Sequence, residues 1–243
     1  MADGPILIYG GTGAIGSAIA RRLAAAGRRV HLVARDPRRL EDLALATGAG
    51  FTAGDVLDEN LFERATGEAA GDGPLSGLAY AVGTITLKPF HRVTAGDVER
   101  DFAINALGAM RAIQSALPAM KRADRAAVLL FSTVAAEQGF PAHASIAMAK
   151  GAVAALTRTL AAELAPKIRV NAIAPSLTLD GMGDGVATSD TMRKAIGDLH
   201  PAGRLGTGED MAAIGEVLLT DAGGWITGQV IGVDGGRSTL KSR

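Results

Sequence analysis

A glycine-rich turn near the start of the chain constrains the fold more than any other sequence feature. The apolar run Ile6-Leu7-Ile8-Tyr9 leads directly into Gly10-Gly11-Thr12-Gly13-Ala14-Ile15-Gly16, and a helical pattern follows. Glycine permits a tight turn and a close approach of the backbone, and the N-terminus of the following helix presents free N–H groups. Strand, turn and helix together predict a unit that binds the phosphates of a dinucleotide.

Short apolar runs alternate with longer helical patterns along the rest of the chain. We predict strands at Ile6–Tyr9, Val30–Ala34, Gly50–Gly54, Gly77–Ala81, Ala127–Ser132, Arg169–Ala174 and Gln229–Val233. We predict helices at Ile15–Ala26, Pro37–Thr47, Glu59–Ala70, Ala95–Arg122, Ser145–Ala165 and Glu209–Thr220. The strands are continuously apolar, as in a sheet that is covered on both faces. The pattern predicts a Rossmann-type α/β fold of three layers, doubly wound around a mostly parallel sheet of seven strands.

The length of 243 residues fits one domain, because single cores seldom grow beyond about 250–300 residues. No linker or repeat divides the chain, so we expect a single dinucleotide-binding domain over residues 1–243. The segment Leu177–His200 is the one long region that reads as irregular. Long loops in compact domains are more often functional than not, so we expect a substrate lid near residues 177–200.

Composition excludes several classes of function. The 25 basic and 25 acidic side chains balance, so no net field favours nucleic acid or an anionic membrane. The absence of cysteine excludes thiolate catalysis, and four scattered histidines argue against a zinc site, so we expect no metal. No apolar stretch has the length of a membrane span, and the first strand begins almost at once. We therefore expect a cytoplasmic protein that acts on a small molecule.

The end of the second predicted strand, Val33-Ala34-Arg35, bears on the choice of cofactor. An acidic side chain here would accept hydrogen bonds from the adenosine ribose of NAD. Ala34 has no such group, whereas Arg35 offers a guanidinium to the 2′-phosphate of NADP. Asp36 follows, but it stands where it would cap the next helix. These residues favour NADP(H) over NAD(H).

Further motifs resemble those of the short-chain dehydrogenase/reductase family over nearly the whole chain. They are Gly54-Asp55-Val56, Ala81-Val82-Gly83, Ile104-Asn105-Ala106-Leu107-Gly108, Ala149-Lys150-Gly151-Ala152-Val153, Arg169-Val170-Asn171-Ala172-Ile173-Ala174-Pro175, Gly203-Arg204-Leu205-Gly206, Thr227-Gly228-Gln229 and Val233-Asp234-Gly235-Gly236. The resemblance implies hydride transfer between a nicotinamide cofactor and a small carbonyl, alcohol or activated alkene. It also implies a homo-oligomer, either a tetramer or a dimer.

The resemblance also implies roles for individual residues. Cofactor contacts are expected from Gly10, Thr12, Ala14, Ile15, Gly16, Arg35, Asp55, Val56, Ala81, Val82, Gly83, Lys150, Pro175 and Thr178. Asn105 matches the helix asparagine that holds a proton-relay water, and Lys150 matches the active-site lysine. Thr133 stands at the position of the serine that orients the substrate oxygen, with Ser132 beside it.

One position departs from the family pattern. The family carries a tyrosine four residues before the lysine, which exchanges the proton that accompanies the hydride, and this chain has Ile146 there. His143, seven residues before Lys150, is a candidate acid, because some enoyl reductases of the family carry their tyrosine at that spacing. Alternatively, His143 is a solvated residue at the start of a helix.

Two further interpretations of Ile146 remain open. The substrate could need no proton from the enzyme, or the protein could be a sensor or assembly partner that binds the dinucleotide without turnover. The chain has two tyrosines, Tyr9 and Tyr80, both at ends of predicted strands, and we expect them to serve packing. The arginines around the first two helices, such as Arg38 and Arg39, are expected to be solvated.

Overall fold

The computed structural model describes residues 4–179 and 181–241. Seven parallel strands form a sheet in the order β3-β2-β1-β4-β5-β6-β7. The strands are β1 (Ile6–Tyr9), β2 (Val30–Ala34), β3 (Gly50–Ala53), β4 (Gly77–Tyr80), β5 (Ala126–Phe131), β6 (Ile168–Pro175) and β7 (Val230–Val233). The predicted Rossmann-type fold is therefore confirmed, and every pair of neighbouring strands is parallel.

Eight α-helices alternate with these strands in the described part of the chain. They are α1 (Ala14–Ala25), α2 (Pro37–Thr47), α3 (Asn60–Ala70), α4 (Ala95–Phe102), α5 (Gly108–Arg122), α6 (Ala144–Leu164), α7 (Asp190–Gly197) and α8 (Gly208–Leu219). Within these bounds, no helix of the described residues is long and apolar enough to cross a membrane.

Two sequence predictions about elements were incomplete. The helix predicted over Ala95–Arg122 is interrupted by a π-helical turn at Ala103–Leu107, which separates α4 from α5. The segment Leu177–His200 is not wholly irregular, because it contains a 3-10 turn and helix α7. Ser189 begins α7 by accepting a hydrogen bond from the backbone N–H of Met192, an ordinary N-cap. Asp180, in the same segment, lies outside the described residues.

The core lies on both faces of the sheet, as the continuously apolar strands require. Alternate residues of β1 point to opposite faces: Leu7 and Tyr9 pack with α3, α5 and α6, whereas Ile6 and Ile8 pack with α1, α2 and α8. Strand order reverses between β1 and β4, so the loops that follow these two strands diverge. Ligands of open α/β sheets bind in the crevice that such a divergence leaves.

Candidate active site

A cavity of about 750 Å³ opens at the carboxyl ends of the strands, at the point where the strand order reverses. Most of the residues predicted from sequence lie on its wall. They are Gly10, Thr12, Ala14, Ile15, Arg35, Asp55, Val56, Ala81, Val82, Gly83, Thr133, His143, Lys150, Pro175 and Thr178. The remaining two, Gly16 and Asn105, lie behind the wall. The fold thus brings residues from six strand ends to one crevice.

The glycine turn forms one end of the cavity. Gly10 has φ +77°, and a Cβ there would lie 2.7 Å from the carbonyl oxygen of Ala81. A Cβ at Gly16 would lie 2.2 Å from the carbonyl oxygen of Gly10, so Gly16 lets α1 pack closely on the turn. No side chain caps the N-terminus of α1 at Gly13, and no acidic residue lies in its first turn. Free N–H groups and the positive end of the helix dipole therefore face the cavity, which fits a pyrophosphate.

Charged side chains surround the far side of this turn, where adenosine would lie. Arg35 is exposed on the cavity wall, and Arg39 beside it donates from Nη2 to the carbonyl oxygen of Thr12 at 2.7 Å. Asp36 caps α2 by accepting from the backbone N–H groups of Arg38 and Arg39, at 3.0 and 3.3 Å. Arg39 is exposed, as expected for a solvated helix face, and it also lies on the cavity wall.

Asn105 lies in the π-helical turn and is almost fully buried. Its Nδ2 donates to Thr84 Oγ1 and to the carbonyl oxygen of Asp101, both at 2.8 Å. Thr84 itself lies on the cavity wall. Asn105 is therefore linked to the cavity through the Thr84 hydroxyl.

Asp101 is a fully buried carboxylate that the sequence analysis did not single out. Its Oδ1 accepts from the hydroxyls of Thr84 and Thr86 at 2.6 and 3.0 Å, and its Oδ2 accepts from Ser145 at 2.6 Å. A buried carboxylate is tolerated when such donors surround it. The only signal in the sequence was an acidic residue one helical turn before Asn105 in an otherwise core-facing position.

Lys150 is a buried cation that experiences the negative charge of this carboxylate. Its Nζ donates to the carbonyl oxygen of Phe131 at 2.8 Å, and Ser132 Oγ donates to the Lys150 carbonyl oxygen at 3.0 Å. Burial lowers the pKa of Lys150 to about 8, and the negative charge of Asp101 opposes that shift. Near neutral pH the group is thus a charged ammonium that releases its proton more readily than an exposed lysine.

Thr133 and Ile146 lie on the wall near Lys150. The Thr133 hydroxyl has only long contacts, 3.4 Å to the carbonyl oxygen of Pro175 and 3.3 Å from the N–H of Ala135, so it is weakly committed. Ile146 precedes Lys150 by four residues on α6 and offers an apolar surface. This part of the wall thus presents the hydroxyl of Thr133, the aliphatic side chain of Ile146 and the ammonium group of Lys150.

Both tyrosines of the chain lie away from this wall. Tyr9 and Tyr80 are buried with ring centroids 5.7 Å apart, and Tyr80 donates to the carbonyl oxygen of Ile104 at 2.7 Å. Burial raises the pKa of both phenols above their usual range. Their location agrees with a packing role, as expected from sequence.

His143 lies on the cavity wall immediately before α6. Its Nδ1 is 2.7 Å from the carbonyl oxygen of Pro141, which only accepts, so Nδ1 carries a proton and Nε2 remains available. The imidazole lies against Phe140, with centroids 5.5 Å apart, and Arg237 places its Cζ 5.4 Å from the centroid of the same phenyl ring. Sequence reasoning missed Phe140 and Arg237, because their contact joins distant segments and leaves no local pattern.

His200 is a second histidine on the cavity wall. Its Nδ1 is 2.8 Å from the carbonyl oxygen of Ile196, and its Nε2 is 2.8 Å from Ser176 Oγ. The contact with Ser176 connects the end of segment 177–200 to the loop that follows β6. Other wall residues from that segment are Leu177, Thr178, Gly181, Gly183, Val186, Ile196 and Leu199. Among residues 4–179 and 181–241, no group of three or more potential ligands could hold a metal ion.

Comparison with known proteins reveals consistent similarity over nearly the whole chain. The sequence model of a family described as Enoyl-(Acyl carrier protein) reductase matches residues 11–238. The chain is 33% identical over 246 residues to 2-(S)-hydroxypropyl-CoM dehydrogenase 3 of Xanthobacter autotrophicus, covering 97% of this chain and 96% of that protein. It is also 33% identical over 238 residues to the inactive 2-(S)-hydroxypropyl-CoM dehydrogenase 2 of that organism, covering 91% of this chain and all of the other.

Similarity extends to a mammalian reductase and to solved structures. L-xylulose reductase of Bos taurus is 31% identical over 233 residues, with 95% of this chain and 94% of that protein covered. The crystal structure of levodione reductase superimposes with a TM-score of 0.93 at 26% identity, over 99% of this chain and 100% of that one. A short-chain type dehydrogenase/reductase from Mycobacterium ulcerans gives a TM-score of 0.91 at 27% identity, over 99% of this chain and 91% of that one.

Proposed function

Because this chain belongs to the short-chain dehydrogenase/reductase family, whose members are oxidoreductases that bind NAD(P), we propose that it transfers hydride between NADP(H) and a small carbonyl, alcohol or activated alkene. One observation carries the proposal. A continuous cavity joins the phosphate-binding turn at Gly10 to the functional groups of Thr133 and Lys150. Cofactor and substrate would thus meet within one crevice, as hydride transfer requires.

The preference for NADP(H) rests on charge at the adenosine end. Arg35 makes no hydrogen bond or ion pair with another described residue, and it lies exposed on the wall beside Arg39. Asp36, which could accept from a ribose, uses its Oδ1 to cap α2. The guanidinium of Arg35, with that of Arg39 beside it, favours a ligand with an additional phosphate.

In this proposal the chain positions the substrate and supplies a proton from an unusual group. NADP(H), held by the glycine turn and Lys150, would supply or accept the hydride. The Thr133 hydroxyl donates a hydrogen bond to the substrate oxygen, and Lys150 holds a positive charge nearby. We assign the proton to Nε2 of protonated His143: in reduction it passes to the oxygen as the carbon gains hydride, and in oxidation it returns. This assignment follows from Ile146, which has no proton to exchange at the position of the family tyrosine.

A second candidate function is dinucleotide binding without turnover. The specific observation in its favour is again Ile146, because an apolar side chain near Lys150 is compatible with binding but contributes nothing to proton transfer. One of the similar relatives is itself named as an inactive dehydrogenase. In this case Lys150 and the glycine turn would serve the cofactor alone.

The discriminating experiment measures binding and turnover in sequence. We expect NADPH to bind more tightly than NADH in a fluorescence titration, and NADPH to be oxidised with members of a carbonyl and enone panel. His143→Ala should lower kcat about 10²- to 10⁴-fold, the usual contribution of a general acid. His91→Ala, an exposed histidine that does not line the cavity, is the matched control and should retain activity.

Three other outcomes have clear meanings. Turnover that survives His143→Ala would refute the assignment of the proton donor while retaining the oxidoreductase. Tight NADPH binding without turnover on any substrate would favour the second candidate. If neither cofactor bound, both candidate functions would fall.

We also propose that the protein works as a homotetramer or dimer and that residues 177–200 form its lid. Trp225 is fully exposed in the single chain, which is unusual for a large aromatic side chain and supports a subunit contact. The contacts of His200 with Ile196 and Ser176 support a segment that folds over the substrate. Light scattering on the wild type and on Trp225→Ala tests the assembly; a monomeric wild type would refute it.

A further inference from the structure

Among the described residues, carboxylates line only one end of the cavity, whereas cations line both ends. Among the described residues of its wall, the carboxylates are Asp36 and Asp55, both at the adenosine end. The substrate end has Arg100 and Arg237 in addition to Lys150 and two imidazoles. A cleft lined by one sign of charge attracts ligands of the opposite sign.

Arg237 is the most informative of these cations, because it is half-buried. Its guanidinium makes no hydrogen bond or ion pair with any described residue and stacks on the phenyl ring of Phe140, 5.4 Å from the ring centroid. Stacking leaves the N–H groups at the edge of the guanidinium free to bind a ligand. A partly desolvated cation without a counter-charge is unfavourable unless a ligand supplies one.

The neighbouring carboxylate of Asp234 makes no ion pair with Arg237 and has other partners. Asp234 accepts hydrogen bonds from the backbone N–H groups of Gly236 and Ser238, both at 2.9 Å, and from the Ser238 hydroxyl. These bonds shape the turn after β7, and the Arg237 N–H donates to the Asp234 carbonyl oxygen at 3.1 Å within it. Asp234 thus holds the backbone that presents Arg237, while the guanidinium points to Phe140.

The ring of Phe140 joins Arg237 to His143, since both contact it. An anionic group bound by Arg237 would therefore lie next to the imidazole that we assign as the proton donor. We propose that Arg237 binds an anionic group of the substrate, such as a carboxylate, so that this chain acts on small oxo acids or hydroxy acids in preference to neutral compounds. This inference rests on the proposed function and specifies its substrate class.

Matched pairs of substrates test the inference directly. Oxo acids with one to three carbons between ketone and carboxylate are compared with their methyl esters in NADPH oxidation by the wild type. We expect higher kcat/KM for the acids. Arg237→Met keeps an unbranched side chain on Phe140 but removes the charge, and it should lower kcat/KM for an acid about 10- to 100-fold, as the loss of a charge-assisted hydrogen bond does. The same variant should change kcat/KM for the ester less than about threefold.

Two controls separate charge from shape. Arg237→Lys should retain part of the preference for acids, since it keeps the charge but loses the planar fork. Lys241→Met removes an exposed cation from the same C-terminal segment and should leave both substrates unaffected. Equal use of acids and esters by the wild type, or equal losses on both in Arg237→Met, would overturn the inference while the oxidoreductase stands.

A binding measurement keeps the test independent of turnover. The oxo acids are titrated by calorimetry into the wild-type protein saturated with NADP⁺, and into the Arg237→Met and Lys241→Met variants. Binding that is lost only in Arg237→Met supports the anion site even if no substrate is turned over. Binding that is absent in the wild type, or equal in all three proteins, overturns it.

Discussion

Asp101 and Lys150 are two buried charged groups, and burial controls the titration of Lys150. Burial lowers the pKa of Lys150 to about 8, and the charge of Asp101 counteracts burial. Asp101→Asn removes that charge while preserving the size of the side chain, so we expect the pKa of Lys150 to fall below about 8. The titration of the Lys150 Cε resonance in ¹³C-lysine-labelled protein measures it.

Ser145→Ala is the control for this shift. This variant removes one hydrogen bond to Asp101 but keeps the carboxylate, so the pKa of Lys150 should change less than in Asp101→Asn. If the pKa of Lys150 were the same in the wild type and in Asp101→Asn, the charge of Asp101 would have no effect on Lys150. Burial alone would then account for the lowered pKa of Lys150.

In the proposed mechanism Ile146 leaves proton transfer to another group, and restoring the family residue tests this. Ile146→Tyr places a phenol one helical turn before Lys150, whose positive charge lowers a phenol pKa. We expect the variant to raise kcat, and to restore activity by about 10²-fold or more in the His143→Ala background. Steady-state rates of the single and double variants across pH 6–10 measure both effects. An Ile146→Tyr that leaves His143→Ala inactive would show that position 146 does not reach the reacting oxygen.

The two ends of the site were not equally predictable at the residue scale. The glycine turn was readable because its backbone demands are local: Gly10 needs a positive φ, and Gly16 needs the absence of a Cβ. The roles of Asp101 and Arg237 could not be predicted from sequence, because the residues that they contact come from other parts of the chain. Burial of Asp101 depends on hydroxyls in the loop after β4 and in α6.

At the scale of elements, one tight contact accompanies the break between α4 and α5. A Cβ on Gly108 would lie 2.0 Å from the Tyr80 hydroxyl, which donates to the Ile104 carbonyl oxygen in the π-helical turn. Gly108→Ala therefore forces this hydroxyl to move, and we expect a destabilisation of about 1–3 kcal/mol, as for overpacked cores. Denaturant unfolding of the variant measures it.

A double-mutant cycle identifies the cause of that destabilisation. Tyr80→Phe alone loses one buried hydrogen bond, which costs about 1 kcal/mol. Because Tyr80→Phe also removes the atom that an alanine at 108 would strike, the double variant should be less destabilised than the sum of the two singles. Strictly additive losses would mean that Gly108→Ala acts through something other than the Tyr80 hydroxyl.

Helical periodicity located most of the helices, and continuous apolar runs located the strands, four of which span only four residues. Helical periodicity could not reveal the π-helical turn, since one extra residue in a turn scarcely changes the apolar pattern of Ala95–Arg122. It also missed α7, which spans only eight residues among glycines and polar side chains. Ser189 and Asp190 were the start signal for that helix, but its apolar face is too short to be conspicuous.

At the scale of the whole molecule, parallel strands explain why distant motifs form one site. Residues that follow strands in a parallel sheet meet at one edge, so motifs in the right order imply a crevice even before any contact is known. The order of the motifs does not predict which residues line the substrate end of the cavity. That region is built by Phe140, His143, His200 and Arg237, from segments whose approach depends on the final packing.

Because the cavity wall draws on loops after β1 through β6, a ligand that fills it stabilises much of the molecule at once. A ligand that binds only the folded state at 100 times its Kd contributes about 2.7 kcal/mol, which corresponds to a rise in Tm of roughly 5–10 °C for a chain of this size. We expect NADPH to produce such a shift in calorimetry and NADH, at the same concentration, a smaller one. Arg35→Ala should abolish the difference but preserve the shift with NADH. Equal shifts with both cofactors in the wild type would contradict the preference for NADP(H), whatever the substrate proves to be.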